Sequence, residues 1–506
     1  MSEPANLCAR IEAAFARHAQ VPLLRFANGE MIRRAQLIEQ VDRMAGALVA
    51  AGVAPGDRVM LQAEKSVTAV AVYLATLKIG AVFNPLNTAY TAAEIGYFLA
   101  DAEPKAVIAP SARLAGIADL ARRCGAVALW SLDADGSGTL IEAARAAGPG
   151  AATVARATDD LAALVYTSGT TGRSKGAMLS HGNLISNALT LIDLWQLTAG
   201  EKLIHALPIY HVHGLFVALN TALLGGLELL WMEAFHAGRV MLALPEADVM
   251  MGVPTFYTRL LGEPGLDRAA CKRIRLFIAG SAPLLPETHG EFQTRTGHAI
   301  LERYGMTETG MIASNPYAGE RIAGTVGFAL LGVSVRVADG AGREMPAGEI
   351  GVVEVRGPNV FKGYWRLPDK TREEFRAGGW FITGDQGFMA PDGRLSLVGR
   401  AKDLIISGGL NVYPIEVETA LNALPGIAES AVIGVPHADF GEAVVAVVTR
   451  SGAEPLNEAA IIAELAKTLA KFKCPKRVIA VADLPRNNMG KVTKAELRAQ
   501  YRNVLA

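Results

Sequence analysis

A chain of 506 residues with 51% hydrophobic, 19% charged and 6% aromatic content has room for about two to four domains and is too apolar to be disordered. Its 49 basic residues balance 49 acidic ones, so no broad electrostatic pull toward nucleic acid or an anionic membrane exists, and no basic stripe or nucleic-acid-binding module stands out. Small molecules are the expected partners, with no nucleic acid and no membrane.

The N-terminal stretch "MSEPANLCARIEAAFARHAQ" carries Glu3 and Glu12 and lacks an apolar core, which argues against a secretory signal and for a cytoplasmic location. Cys8, Cys124, Cys271 and Cys474 lie far apart without a ligand-like spacing, so they read as reduced thiols. As far as about Phe328, strand-length runs such as "DRVMLQ", "AVFNPL", "AVIAP" and "LAALVY" alternate with helix-patterned segments such as "TAVAVYLATLKIG" and "IGYFLADA". That alternation predicts an α/β fold with mostly parallel, two-sided buried sheets. "VALNTALLGGLELLW", interrupted by Asn220 and Glu228, is too short to span a membrane and reads as core.

From about Gly332 the texture changes to short alternating strands, "VSVRVAD", "GVVEVRG" and "GRLSLVGR", separated by Gly, Pro and Asp-Gly turns, which predicts a small antiparallel β unit. After Arg400, "IEVETALNAL" and "IIAELAKTLAKF" are expected as helices around the strands "ESAVIGV" and "AVVAVVT". The expected organisation is a large N-terminal domain over 1–401, with the β unit at about 332–400, a linker near "GRAKD", and a mobile α+β C-terminal domain over 402–506.

The stretch "YTSGTTGRSKG" joins two apolar runs. A Walker A loop would place a helix directly after its Gly-Lys pair, whereas here a strand-like run follows and the helix starts only near Ser180, a plausible N-cap. Glycines that allow close backbone approach, together with Thr167, Ser168, Thr170, Thr171 and Lys175, still suit an anion.

This string resembles the signature of the adenylate-forming acyl-CoA synthetase superfamily, and further motifs follow in the family's order: "GSAPL" (Gly280 to Leu284), "YGMTET" (Tyr304 to Thr309), "FITGDQG" (Phe381 to Gly387), "GRAKDLIISGG" (Gly399 to Gly409) and "PRNNMGKV" (Pro485 to Val492). The resemblance covers essentially the whole chain. It implies that a carboxylate attacks the α-phosphate of ATP to give an acyl-adenylate and pyrophosphate, after which the thiol of coenzyme A displaces AMP. By the same resemblance Thr167, Ser168, Gly169, Thr170, Thr171, Gly172 and Lys175 hold phosphates, and Gly280, Ser281 and Ala282 flank the adenine. Tyr304, Gly305 and Met306 line the nucleotide, Thr307 contacts phosphate and Glu308 binds Mg²⁺. Asp385 and Arg400 take the ribose, Lys402 is the hinge, and Gly408 and Gly409 line the thiol tunnel.

Lys491 enters the site during adenylation in that family and must leave it for thiolation, which is the reason for a rotating C-terminal domain. The sequence places it on an exposed turn before a terminal helix, "KAELRAQYRNVL", with Thr493 and Glu496 as a capping box. Because its charge is essential, it is also an expected target of a lysine acetyltransferase.

The acid is read from other residues. "PIYHVHGL" contains His211 at the residue that gates the family's acyl pocket, "MGVPTFYTRLL" contains Arg259 after a helix start at Pro254, and Arg303 precedes "YGMTET". Fatty or aryl acids would avoid a cation, whereas a small dicarboxylate needs a charge-assisted clamp. Together these segments resemble the malonyl-CoA synthetase branch of the family, with methylmalonate as a further substrate. The alternatives are another small, medium-chain or aryl acid, or an inactive nucleotide-binding protein on the same fold.

Overall fold

The computed structural model describes residues 3–16, 18–167, 174–407, 410–437, 440–452, 455–469, 471–487 and 490–505. Among these residues the strands form four sheets. A six-stranded sheet runs in the order Ala128–Ser131, Ala106–Ala109, Arg58–Leu61, Val82–Pro85, Leu161–Thr167, Lys175–Ser180. All its pairings are parallel except the last, where Leu161–Thr167 and Lys175–Ser180 form an antiparallel hairpin. A nine-stranded sheet holds the parallel strands Leu301–Met306, Leu276–Ala279, Val249–Gly252, Lys202–His205 and Glu228–Trp231 side by side.

The physical reason is visible in burial. Ala106–Ala109, Glu228–Trp231, Val249–Gly252 and Leu276–Ala279 are buried at every position, as expected of strands covered on both faces. The helix Val67–Lys78 is buried continuously from Ala69 to Lys78, the signature of a helix enclosed by protein, and one apolar cluster runs through it into both sheets. Lys78, at its end, is neutralised by Glu12 and by Asp42 at 2.9 Å. The expected helix after the Ser180 cap is Val-free and regular: it spans His181–Leu194, and the Ser180 hydroxyl accepts from the Asn183 N–H. Leu184, Ala188 and Leu191 face inward.

A five-stranded sheet spanning Ser334 to Arg400 is antiparallel throughout. The last sheet contains Ile405–Ser407, Leu410–Val412, Ile427–His437, Gly441–Arg450 and Arg477–Val481. Its two faces bury separate clusters, one around Val432, Val444, Ala446 and Val448 and one around Ala431, Ile433 and Val445, and neither cluster shares a residue with those of the preceding sheets. A unit with its own core can move as a body. No described helix is long and apolar enough to cross a membrane.

Three local expectations are corrected. Regular helix in "IIAELAKTLAKF" ends at Leu465 and the chain goes on in turns. The terminal helix is Lys494–Gln500, and its capping box does not form. Thr493 has ψ 82° and donates its N–H to the Pro485 carbonyl at 2.9 Å, so the hairpin bridged by Arg486 and Val492 takes the residue away from the extended geometry a cap needs. Asp385 lies inside the strand Trp380–Met389.

Candidate active site

The hairpin expected to hold phosphates places Thr167 directly opposite Lys175, with the Thr167 hydroxyl donating to the Lys175 carbonyl at 3.4 Å. Ser168, Gly169, Thr170, Thr171 and Gly172 lie outside the described residues. The Lys175 ammonium pairs with Glu374 at 2.9 Å and sits 4.1 Å from the centre of the Tyr364 ring. The Tyr364 hydroxyl faces Glu374 at 2.7 Å and Glu308 at 3.0 Å; its single proton can serve one of these carboxylates at a time. Thr307 and Glu308 form the turn between Leu301–Met306 and Gly310–Ser314. Burial pushes the Glu308 carboxyl up, opposed by its own backbone N–H, Tyr364, Lys175 and Arg400.

The pair expected to take the ribose is held by strand pairing. Asp385 and Arg400 are cross-strand partners, and the guanidinium reaches the carboxylate at 2.7 Å. Tyr304 donates its hydroxyl to the other carboxylate oxygen, and the Asp385 N–H donates to Thr383 at 3.1 Å. Asp385 is buried, and both of its carboxylate oxygens are paired.

Lys491 approaches this pair from the C-terminal unit. Asp385 and Arg400 both act on its ammonium, as do Lys402 and Asp403 at the linker, and burial is the largest cause of its lowered pKa. The residue is nevertheless exposed. The neighbouring Gly490 lies against Thr255 of the N-terminal domain. Gly408 and Gly409 lie outside the described residues.

Arg303, expected at the acyl side, lies in the interior. This residue is 3% exposed, and its guanidinium lies flat against Gly280, where a Cβ would overlap it. Its Nε and Nη2 find no hydrogen-bond partner among the described residues, and burial pushes the guanidinium down to about 9. His211 feels both Arg303 and Lys491, and burial together with these cations pushes it down to about 4. Ser281 holds a left-handed φ of 72°, a strained state for a residue with a side chain, and its hydroxyl stands 3.2 Å from Nδ1 of His213. His213 is 1% exposed, and its Nε2 has no partner among the described residues.

Arg259 requires a correction. Pro254–Leu261 is a helix with Pro254 in its first turn, as expected, but Arg259 is on its exposed side while Tyr257 and Leu260 are buried. Solvent screens a charge placed there, so the two arginines do not form one buried clamp. Sequence reasoning also passed over His213, Tyr364 and Glu374. The H-x-H spacing in "HVHGL" was a usable signal for the first; nothing local marks Glu374, which reaches Lys175 only through the fold.

The model of the AMP-binding enzyme matches residues 11–365, and that of the AMP-binding enzyme C-terminal domain matches 416–491. The chain belongs to the AMP-binding enzyme family. It is 36% identical over 481 residues to a feruloyl-CoA synthase of Amycolatopsis sp, covering 94% of this chain and 95% of that one. It is 33% identical over 503 residues to a mitochondrial malonate–CoA ligase of Homo sapiens, covering 92% and 86%. The crystal structure of ATP-bound MatB from Rhodopseudomonas palustris is similar with a TM-score of 0.97 and 52% identity, covering 99% and 100%. The family member described here is an AMP-forming acyl-CoA synthetase, using ATP and coenzyme A on a carboxylic acid.

Proposed function

We propose that the acid is malonate, with methylmalonate as a second substrate, and that the product is malonyl-CoA. The observation that carries this reading is Arg303, a buried cation with two nitrogens unpartnered among the described residues, in a site where a monocarboxylate would leave it uncompensated. The distal carboxylate of malonate meets Arg303 and the proximal one meets Lys491, with His211 between the two cations.

In the first half-reaction a proximal carboxylate oxygen forms a bond to the α-phosphorus of ATP, and the bond to pyrophosphate breaks. Such a step depends on positioning and charge neutralisation. Lys175, released from Glu374, and the 167–172 loop hold the β- and γ-phosphates; Thr307 contacts phosphate. Gly280, Ser281 and Ala282 take the adenine beside Tyr304, Gly305 and Met306, and Asp385 and Arg400 take the ribose. Glu308 fits Mg²⁺, being a hard oxygen donor whose charge is disfavoured by burial; bound there, the ion would neutralise phosphate charge.

Rotation about Lys402 then removes Lys491, the thiol of coenzyme A attacks the acyl carbon past Gly408 and Gly409, and AMP leaves. Acetylation of Lys491 by a lysine acetyltransferase would block the first half-reaction. We place the reaction in the cytoplasm.

The test is acid-dependent pyrophosphate release with MgATP, using malonate, methylmalonate, acetate, ferulate and indoleacetate. Malonate should give the highest kcat/KM. A higher value with ferulate or indoleacetate would overturn the assignment.

A further inference from the structure

Lys65 is a buried lysine that the chemistry above does not use. It follows the strand Arg58–Leu61 of the six-stranded sheet, is 8% exposed, and projects into the other sheet. There its Nζ stands 2.8 Å from Nδ1 of His205, 2.7 Å from the His205 carbonyl and 2.6 Å from the Met232 carbonyl. It also lies 4.2 Å from the centre of the Trp231 ring. His205 and Met232 mark the ends of the adjacent parallel strands Lys202–His205 and Glu228–Trp231.

The imidazole is equally engaged. It is fully buried, stacks on Trp231 at 5.1 Å and places Nε2 2.9 Å from the Gly214 carbonyl. Three acceptors around one ammonium, and one ring nitrogen accepting while the other donates, satisfy every contact with a single positive charge on the pair. No carboxylate touches Lys65 among the described residues. Holding a buried cation this way costs desolvation, so a role beyond filling space is called for.

Gly214 supplies that role. It belongs to the π-helical turn His213–Leu219, a rare geometry that concentrates at functional sites. The turn is crossed tightly, since a Cβ at Gly214 would overlap the Pro208 carbonyl. The chain between Pro208 and Gly214 carries His211 and His213, and the His213 N–H donates to Nδ1 of His211 at 3.2 Å. Fixing the Gly214 carbonyl therefore fixes where both imidazoles meet the acyl site beside Arg303.

We propose that Lys65 and His205 are positioning residues for the acyl pocket: Lys65 orients His205, and His205 anchors the π-helical turn that presents His211 and His213 to the acid. The pair touches neither acid nor nucleotide. This inference rests on the assignment of the acyl site, and it concerns whichever acid the panel above selects.

Lys65→Met and His205→Phe should raise the KM for that acid at least tenfold while changing the KM for ATP less than threefold. His205→Gln, which can keep one acceptor and one donor, should recover part of the loss. Equal changes in both KM values, or no change in either, would overturn the proposal. Amide hydrogen exchange on the wild-type protein supplies a second readout that no folding defect can obscure. Saturating acid should slow exchange across 208–219 and also at 203–206, whereas protection confined to 208–219 would show that the anchor is not coupled to the acid and would equally overturn it. A wild-type enzyme that releases no pyrophosphate with malonate but does so with another panel acid would refute the malonate assignment and leave these measurements to be read with that acid.

Discussion

Replacing Arg303 by methionine separates the substrate reading from a structural one because the two predict opposite outcomes. Arg303 is 3% exposed and offers Nε and Nη2 without partners among the described residues. A hydrogen bond to a charged group contributes about 1.5–3 kcal/mol; two from one guanidinium to one carboxylate are not fully additive, so about 3–4 kcal/mol is the expected loss. At about 1.4 kcal/mol per decade, kcat/KM for malonate should fall roughly 10²–10³-fold. Stability should move the other way. Burial pushes the free protein's guanidinium down to about 9, so at neutral pH its charge destabilises the fold, a penalty complete below about pH 9 and relieved above it. Methionine removes that penalty, and the melting temperature at pH 7 should stay level or rise. The assays are acid-dependent pyrophosphate release and thermal unfolding without substrates. Malonate kinetics within threefold of wild type, combined with a lowered melting temperature, would refute the reasoning and make Arg303 a folding residue. Arg259→Leu is the companion measurement: Arg259 is exposed, and its loss should leave the malonate KM within about twofold, the scale of a screened surface charge.

Lys491→Ala should abolish adenylation and spare thiolation of supplied malonyl-AMP, because in the proposed cycle its ammonium, which feels Asp385 and Arg400, serves the first half-reaction alone; equal loss in both half-reactions would contradict this. His211, pushed down to about 4, should stay neutral through the working range, so malonate kcat/KM should show no step near the ordinary histidine value of about 6.5. Because the unfolded chain takes up this proton at higher pH than the folded one, His211 lowers stability progressively as pH falls from about 6.5 toward 4. In Arg303→Met the His211 inflection should move up, read from the pH profile of the residual activity, since one of the two cations depressing it is gone. Thr493→Ala should change unfolding free energy by less than about 0.5 kcal/mol, against the ~1 kcal/mol typical of a lost cap, because its hydroxyl makes no capping bond.

Chain-local chemistry made much of this protein legible without coordinates. Alternation of fully apolar strands with helices of period 3.6 implied parallel, covered sheets, and the switch to short alternating strands after Gly332 marked the antiparallel unit, because burial on two faces or one is written directly into side-chain order. The Ser180 cap was equally local: hydroxyl and receiving N–H are three residues apart. What failed were features whose partners lie elsewhere. Thr493 carries a cap signature, but the Pro485 carbonyl claims its backbone. Arg259 and Arg303 look alike as cations near acyl-pocket segments, yet a helix turns one to water while packing against Gly280 encloses the other. Glu374 reaches Lys175 across 199 residues, and Lys65 reaches His205 across 140. Sequence order states which chemical groups are available and the period with which they face inward; only the tertiary fold decides which of them lose water together.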